Sequence, residues 1–525
     1  MKKTCWTAAF VLLLAASPGA RADENVVVAP VAVAGETSPA GGRYILFGDI
    51  DVDPARRVTY TASMTTGRVG IFRTRFGVPQ TIIQSGDPAP PDAGNRFFIP
   101  LAVSGNTAGD LAFVCILAFP DRQGVFLMQG TEVTTLALQG TPAPFGSGLS
   151  LAGFDQIRLL ESGEVYVLAF LLDELGNDAG TAVLAHDASS LRPVIAAGDP
   201  YGGSRMVDRV LQYDVNESGI VAALAQIGDF GFLDPLTEII LLDGGRLRTL
   251  ASKDLSFSGG TDMVRHFAVA VDQVRVDPAG TASFYVATNN FLGGGYAINE
   301  GGGMTDNRYL LSQGHRSPLS STDTLQFFGP FGRSAGGTLA FQAFTPVAPS
   351  GGIFAMRPGS PAALVARTGE PRPGGGTWAG FFHLDMNPAG AFTFTEFQGL
   401  AQIGVHLGHL LAPADEILAE LRAVLREHDV PRGVRAQLEA MLRLIERRMK
   451  TGDTSGAATL ATSLREGLER LMDRQMPLLL AELLHPLLED LERSLGGGSA
   501  ALRARAPESQ APPLEAWIDT LPAAP

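Results

Sequence analysis

Lysine and cysteine are almost missing from this chain. Lysine occurs only at Lys2, Lys3, Lys253 and Lys450, and the formal net charge over 525 residues is −14. No basic footprint exists to displace counterions from a phosphate backbone, so nucleic-acid binding is excluded as a function class. Of the two cysteines, Cys5 precedes the first apolar run, where it cannot be a lipoprotein acylation site, and Cys115 lies inside the apolar run Leu111–Cys115. A mature chain with one cysteine forms no internal disulfide and must rely on large apolar cores. No His-Glu-x-x-His, Walker loop, nucleophile elbow or Cys-x-x-Cys occurs. The sequence therefore names no catalytic residue, no metal-ligand set and no cofactor.

What the N-terminus does carry has the three parts of a secretory signal. Lys2 and Lys3 form a basic start, Ala8 to Ala16 is apolar, and Ala20-Arg21-Ala22 supplies small residues before a cleavage point ahead of Asp23. The apolar run is too short for a bilayer of about 30 Å. Residues 1–22 are expected to be a signal peptide, the protein to be exported to the periplasm or beyond, and no transmembrane segment to remain after its removal.

From about residue 26 to 410 three short signatures recur in a fixed order. The first is an apolar run ending in glycine, usually an acid and often proline: Gly35-Glu36, Gly86-Asp87-Pro88, Gly140-Thr141-Pro142, Gly198-Asp199-Pro200, Lys253-Asp254, Gly314-His315 and Gly369-Glu370-Pro371. Copies lie roughly 51 to 61 residues apart, a propeller or solenoid period. The second is an Asx turn with glycine at its fourth position, as in Asn106 to Gly109, Asn216 to Gly219, Asp277 to Gly280 and Asn387 to Gly390. The third is a glycine opening a strand: Gly70-Ile71-Phe72, Gly124-Val125-Phe126 and Gly352-Ile353-Phe354. Each unit reads as four short strands, one blade of a β-propeller. The last unit lacks its fourth strand, while Asn25 to Ala34 is a strand without a unit. Pairing the two closes the ring, and the expected fold is an all-β propeller of seven blades over residues 23–412.

Gly86-Asp87-Pro88-Ala89-Pro90, Gly140-Thr141-Pro142-Ala143-Pro144, the Asx turns and the Gly-Ile-Phe strands resemble those of a group of secreted bacterial propeller-repeat proteins with Gly-Asp-Pro-Ala-Pro loops. The resemblance implies a propeller outside the cytoplasm and implies no activity. Composition changes at Pro413, where four helical stripes begin: Ile417, Leu418, Leu421 and Leu425; Val434, Leu438, Leu442 and Ile445; Leu460, Leu464, Leu468 and Leu471; then a leucine-rich segment from Pro477 to Leu495. A separate all-α helical bundle is expected over 413–495, with a flexible tail over 496–525. Pro431, Gly433, Leu438, Gly452, Asp453 and Ala457-Ala458 resemble the FIMAH-type helical domain of bacterial surface proteins, which implies an accessory or interaction module.

Candidate site residues come from counting back from the turn glycine of each unit, a place that Arg56 takes in the first. Five positions earlier stand Asp51, Ser104, Arg158, Asp214, Arg275 and Asp385; seven earlier stand Asp49, Gln156, Gln212, Gln273 and His383. Apolar residues lie between them, so alternation gathers the polar set on one strand face around the propeller axis. Asp51, Arg158, Asp214, Arg275, His383 and Asp385 are the candidate binding residues of an axial channel. Two readings stand: a self-neutralising network that packs the channel, or a ligand site on the axis. Asp49-x-Asp51-x-Asp53 has the start of a calcium loop but not its end, and reads as acids on a strand and turn facing water. His406-x-x-His409 puts two rings on opposite strand faces.

Function is then expected to be binding or interaction with a protein or polymer ligand outside the cytoplasm. The alternative is a propeller hydrolase or lyase acting on an extracellular polymer. Sugar platforms want exposed Trp or Tyr, and only Trp378 and Trp517 remain after the signal, which disfavours that alternative.

Overall fold

A computed structural model describes residues 26–496, except 92–93, 119–120, 146–147, 188–189, 202–204, 230–235, 253–263, 267–273, 289–293, 301–305, 316, 319–322, 327, 346–349, 374–375, 399–400, 429 and 473–477. The expected signal segment, Lys253-Asp254, Gln273 and the tail with Trp517 lie outside the described residues.

Seven antiparallel sheets follow one another along the chain. Blades 1 to 4 begin with the inner strands Tyr44–Val52, Phe97–Gly105, Ser150–Leu159 and Arg205–Val215. Blade 5 has its inner strand in two pieces, Val264–His266 and Val274–Val276. Blades 6 and 7 begin with Phe331–Arg333 and Phe381–Met386. The outermost strand of blade 7 is Val26–Val33, which pairs antiparallel with Ala401–Leu410, Val26 opposite Leu410 and Val33 opposite Gly404. The seam of the ring therefore lies inside blade 7, between Val26–Val33 and Ala401–Leu410, where the two ends of the propeller chain meet.

Each signature has a physical reason. The Asn of the Asx turn works at both ends of its amide: Asn216 Oδ1 accepts the N–H groups of Ser218 and Ile220, each at 3.0 Å, and Asn216 Nδ2 donates to the Asp277 carbonyl of the next blade at 2.8 Å. The carboxylate after the repeat glycine folds back on its own strand end. Asp87 Oδ2 accepts from Gln84 N–H at 2.9 Å and Asp199 Oδ2 from Ala196 N–H at 2.8 Å, so these acids cap turns. In Gly124-Val125-Phe126 the Phe126 ring lies over the glycine two residues before it. A Cβ at Gly124 would sit 2.6 Å from the Phe126 ring tip.

Blade sheets are buried on both faces, because each packs between two neighbours. The second strands accordingly read as unbroken apolar runs such as Leu111–Cys115 and Val221–Ala225. Every inter-blade gap has its own cluster: Tyr44, Tyr60 and Phe72 with Val405 between blades 7 and 1, Phe97, Phe113 and Phe126 between blades 1 and 2, and Trp378, Phe381 and Phe394 between blades 6 and 7. Each such buried aromatic contributes roughly 2–3 kcal/mol.

Four helices follow: α1 Ala414–Glu427, α2 Arg432–Lys450, α3 Thr454–Met472 and α4 Leu478–Gly496. Asp453 Oδ1 caps α3 by accepting the Gly456 N–H at 2.9 Å. α1 packs on α2 and α4, and α3 on α2 and α4, around one apolar core that includes Leu421, Ile445, Leu468 and Leu491. No described helix is long and apolar enough to cross a membrane.

Candidate functional site

Inner strands run side by side from an entry face, where they begin, to a turn face, where the Asx turns lie. The bulges near their middle, for example between Phe47 and Ile50 and between Phe381 and Leu384, set the polar residues toward the axis. Arg158 Nε reaches Asp214 Oδ1 at 3.2 Å in the next blade, and its Nη2 lies 3.6 Å from Asp385 Oδ1 of blade 7. Arg275 Nη2 bonds the same Asp385 oxygen at 3.0 Å. The two contacts with Asp385 join blades that are not neighbours, so the groups meet on the axis.

The carboxylates also fasten backbone. An inner strand leaves one edge unpaired, and its N–H groups need acceptors. Gly105 N–H donates to Asp51 Oδ2 at 2.7 Å, Val103 N–H to Asp49 Oδ2 at 2.9 Å, and Val276 N–H to Asp214 Oδ2 at 2.9 Å. Ser104 Oγ and Gln156 Oε1 do the same for Leu159 and Tyr213, at 3.1 and 3.2 Å. In every case the acceptor belongs to the preceding blade.

Asp51, Asp214 and Asp385 are three carboxylates facing the guanidiniums of Arg158 and Arg275. Burial above all, and then the Asp385 charge, push Asp51 well above the ordinary carboxylate range, against the pull of Arg158 and the Gly105 N–H. His383 stands half-buried two residues before Asp385, its ring edge-on to Phe382 at 4.7 Å between centroids. Arg158, Asp214, Arg275 and Asp385 thus form one bonded network, with Asp51 electrostatically part of it and His383 above it toward the entry face.

Two expectations about acids and histidines meet the structure differently. Asp51 and Asp53 are 6% and 3% exposed and do not face water, Asp53 being buried against Arg57 at 2.6 Å and Asp51 against the next blade, while Asp49 is half-buried. The two rings of His406-x-x-His409 do part company. His406 packs beside Trp378 and 3.4 Å from Glu396, whereas His409 Nε2 bonds Asp490 Oδ1 at 2.7 Å. Among the described residues no group of three or more His, Cys, Asp or Glu side chains is placed to hold a metal ion.

Blade 6 adds no candidate to the sequence count, because the residue five before its turn glycine Gly337 has no side chain. Its axial position is Gly332, where a Cβ would run into Met386 Cβ of blade 7. With no side chain there, the Arg275 guanidinium bonds Asp385 across the intervening blade. Arg333, also missed, bonds Asp277 Oδ2 of blade 5 at 2.6 Å.

A second feature surrounds the axis on the entry face. Among the described residues, Ile45, Leu46, Phe98, Leu101, Phe170, Leu175, Val78 and Phe382 are the large apolar side chains that are exposed. Ile45 and Leu46, Phe98 and Leu101, and Phe382 lie at or near the beginnings of the inner strands of blades 1, 2 and 7, which adjoin one another. Phe170, opposite Gly153, and Leu175 in the following loop belong to the same face of blade 3. Val78 alone is on the turn face, where the bundle sits.

Among solved structures the chain is similar to a puromycin-hydrolyzing peptidase of Mycobacterium tuberculosis (12% identity, TM-score 0.39, 72% of this chain and 54% of that one). It is similar also to a gluconolactonase of Xanthomonas campestris (11%, TM-score 0.31, 76% and 99%) and to a Hadza microbial sialidase (12%, TM-score 0.31, 67% and 73%). The chain spans about half the length of that peptidase, and these likenesses carry no functional argument. No curated protein matches the chain. Residues 22–256, which hold the N-terminal strand and blades 1 to 4, match a family of unknown function, DUF7453.

Proposed function

We propose that the protein is an exported, non-catalytic binding protein, and that its partner is a protein segment presenting apolar side chains to the entry-face mouth at blades 7, 1 and 2. The observation that carries this reading is the gathering of nearly all described exposed large apolar side chains on one face, away from the bundle. Contiguous apolar surface on a folded domain marks an interaction site. The N-terminal pattern of Lys2, Lys3, the apolar run and Ala20-Arg21-Ala22 supports export.

Two points favour binding over hydrolysis. Glycosidic cleavage needs a pair of carboxyl groups with oxygens available to acid and base chemistry. Asp51, Asp214 and Asp385 are instead engaged with backbone N–H groups and guanidiniums of other blades. Trp378, which could have been a sugar platform, is 4% exposed and packed among Phe381, Phe394 and His406.

The test is quantitative capture from envelope extract by the full mature chain. A Phe98→Ser, Phe382→Ser double variant is expected to lose a partner that the wild type and a Val78→Ser control on the opposite face both retain. Equal capture by all three, or loss only in the control, contradicts the assignment of the mouth.

A further inference from the structure

Only two described residues other than glycine have a left-handed backbone: Arg56, at φ 61°, and Phe76, at φ 50°. Both belong to blade 1, and both lie in turns on its turn face. Arg56 holds the position that is Gly109, Gly163, Gly219, Gly280, Gly337 and Gly390 in the other six blades, all at positive φ. A side chain there is strained, and strain that persists marks a place where something else is gained.

Both residues touch α4. The Arg56 guanidinium pairs with Asp490. The Phe76 ring meets His485 at 5.7 Å between centroids and packs against the apolar core of the bundle. Beside them Arg57 is held between Asp53 at 2.6 Å and Glu482 at 2.7 Å, and its Nη2 donates to the carbonyls of Asn106 and Thr107 in blade 2 at 2.7 and 2.8 Å. Asp490 also turns the other way, to His409 on the third strand of blade 7. Its side chain is 3% exposed and that of Glu482 7%, so these are buried charges that need their partners.

The two carboxylates of α4 therefore span the seam: they hold Arg56 and Arg57 of blade 1, into which Val26–Val33 runs directly, and His409 on Ala401–Leu410 across the break. Between them lies a cavity of about 160 Å³ walled by Val27, Ala29 and Val31 of the N-terminal strand, by Phe76, and by α4. A propeller ring opens most readily where its first and last strands meet, because there no covalent link joins them.

We propose that α4 is a clasp: the helical bundle locks the ring closed by bridging blade 1 to blade 7 over the strand pair Val26–Val33 and Ala401–Leu410. The bundle in this account is not a module on a tether but a fixed part of the propeller, and the glycine-to-arginine exchange at position 56 is its signature within the repeats.

Hydrogen exchange of the full chain tests this, comparing wild type with Arg56→Gly, Asp490→Asn and, as a control, Asp178→Asn, which breaks an exposed pair with Arg209 in blades 3 and 4. Both clasp variants are expected to speed exchange at the amides of Val26–Val33 and Ala401–Leu410 at least tenfold, with blades 3 and 4 unchanged and the control silent. Arg56→Gly is the sharper probe, since it installs the residue that six turns already use and relieves strain. Should Asp490→Asn fail to fold, Arg56→Gly decides alone. Seam exchange at the wild-type rate, slower exchange, or a uniform rise in every blade overturns the clasp.

Discussion

Asp51 illustrates how much a single buried carboxyl can set. Its native pKa is raised well above 3.8 by burial and by Asp385, so the folded chain retains a proton that the unfolded chain releases. Stability conferred by that proton is complete below pH 3.8 and falls as pH rises toward the native pKa, by up to about 1.4 kcal/mol per pH unit. Asp51→Asn keeps an acceptor for the Gly105 N–H and removes the titration. Urea unfolding at a series of pH values upward from 4 is expected to show the variant gaining on the wild type as pH rises, until the native pKa is passed; parallel curves throughout would contradict the assignment. Asn216→Ala breaks a turn and an inter-blade bond together, and is expected to cost about 2 kcal/mol in the same assay. The converging residues could be found in the sequence because a turn position, glycine in six repeats and Arg56 in the first, frames each repeat and fixes a count back along the strand. Blade 6 escaped that count, since Gly332 leaves nothing polar to align.

Strands and turns were legible for a local reason: period-two burial, Asx chemistry and the Gly-x-Phe spacing all act within a few residues. The Gly-x-Phe unit makes its own prediction. Gly124→Ala puts a Cβ 2.6 Å from the Phe126 ring and 3.0 Å from Leu138 Cδ2, and is expected to cost about 1–3 kcal/mol. In a Phe126→Leu background the same change should cost less, which a double-mutant cycle measures. The seating of α4, by contrast, could not be read from sequence. Arg57 and Glu482 are 425 positions apart and Arg56 and Asp490 are 434 apart, and no periodicity links such pairs. The one trace in the repeats was an arginine where glycine belonged.

That seating carries a pH dependence. His409 is held below its ordinary 6.5, by burial first and then by Arg56, while Asp490 is brought down to about 2 by His409 and Arg56 against its own burial. Arg493 of α4 faces His409 as well, and Glu420 of α1 faces Arg56 and Asp490. A released His409 takes up a proton more readily than a seated one, so seating weakens as pH falls below 6.5, and below 3.8 protonation of released Asp490 adds to the loss. Exchange in α4 should accelerate from pH 7.5 to pH 5 in the wild type and much less in His409→Gln. Equal acceleration in both would contradict this origin.

At the scale of the whole molecule the two faces of the propeller are used differently. The turn face holds the bundle through charges, aromatics and a strained arginine. The entry face presents apolar side chains at the mouth of a self-bonded axis. Sequence alone showed seven blades and four helices, because repeats and helical stripes announce themselves. It could not show which face was left open, since that depends on where the bundle sits.

The most direct measurement is a hydrogen-exchange footprint of the full mature chain with and without the captured partner. The account predicts protection at the starts of the inner strands of blades 1, 2 and 7, around Leu46, Phe98 and Phe382, with α1 to α3 unchanged. Protection confined to the outer surface of the helical bundle, with the mouth exchanging as in the free protein, would contradict it and make the bundle the binding module.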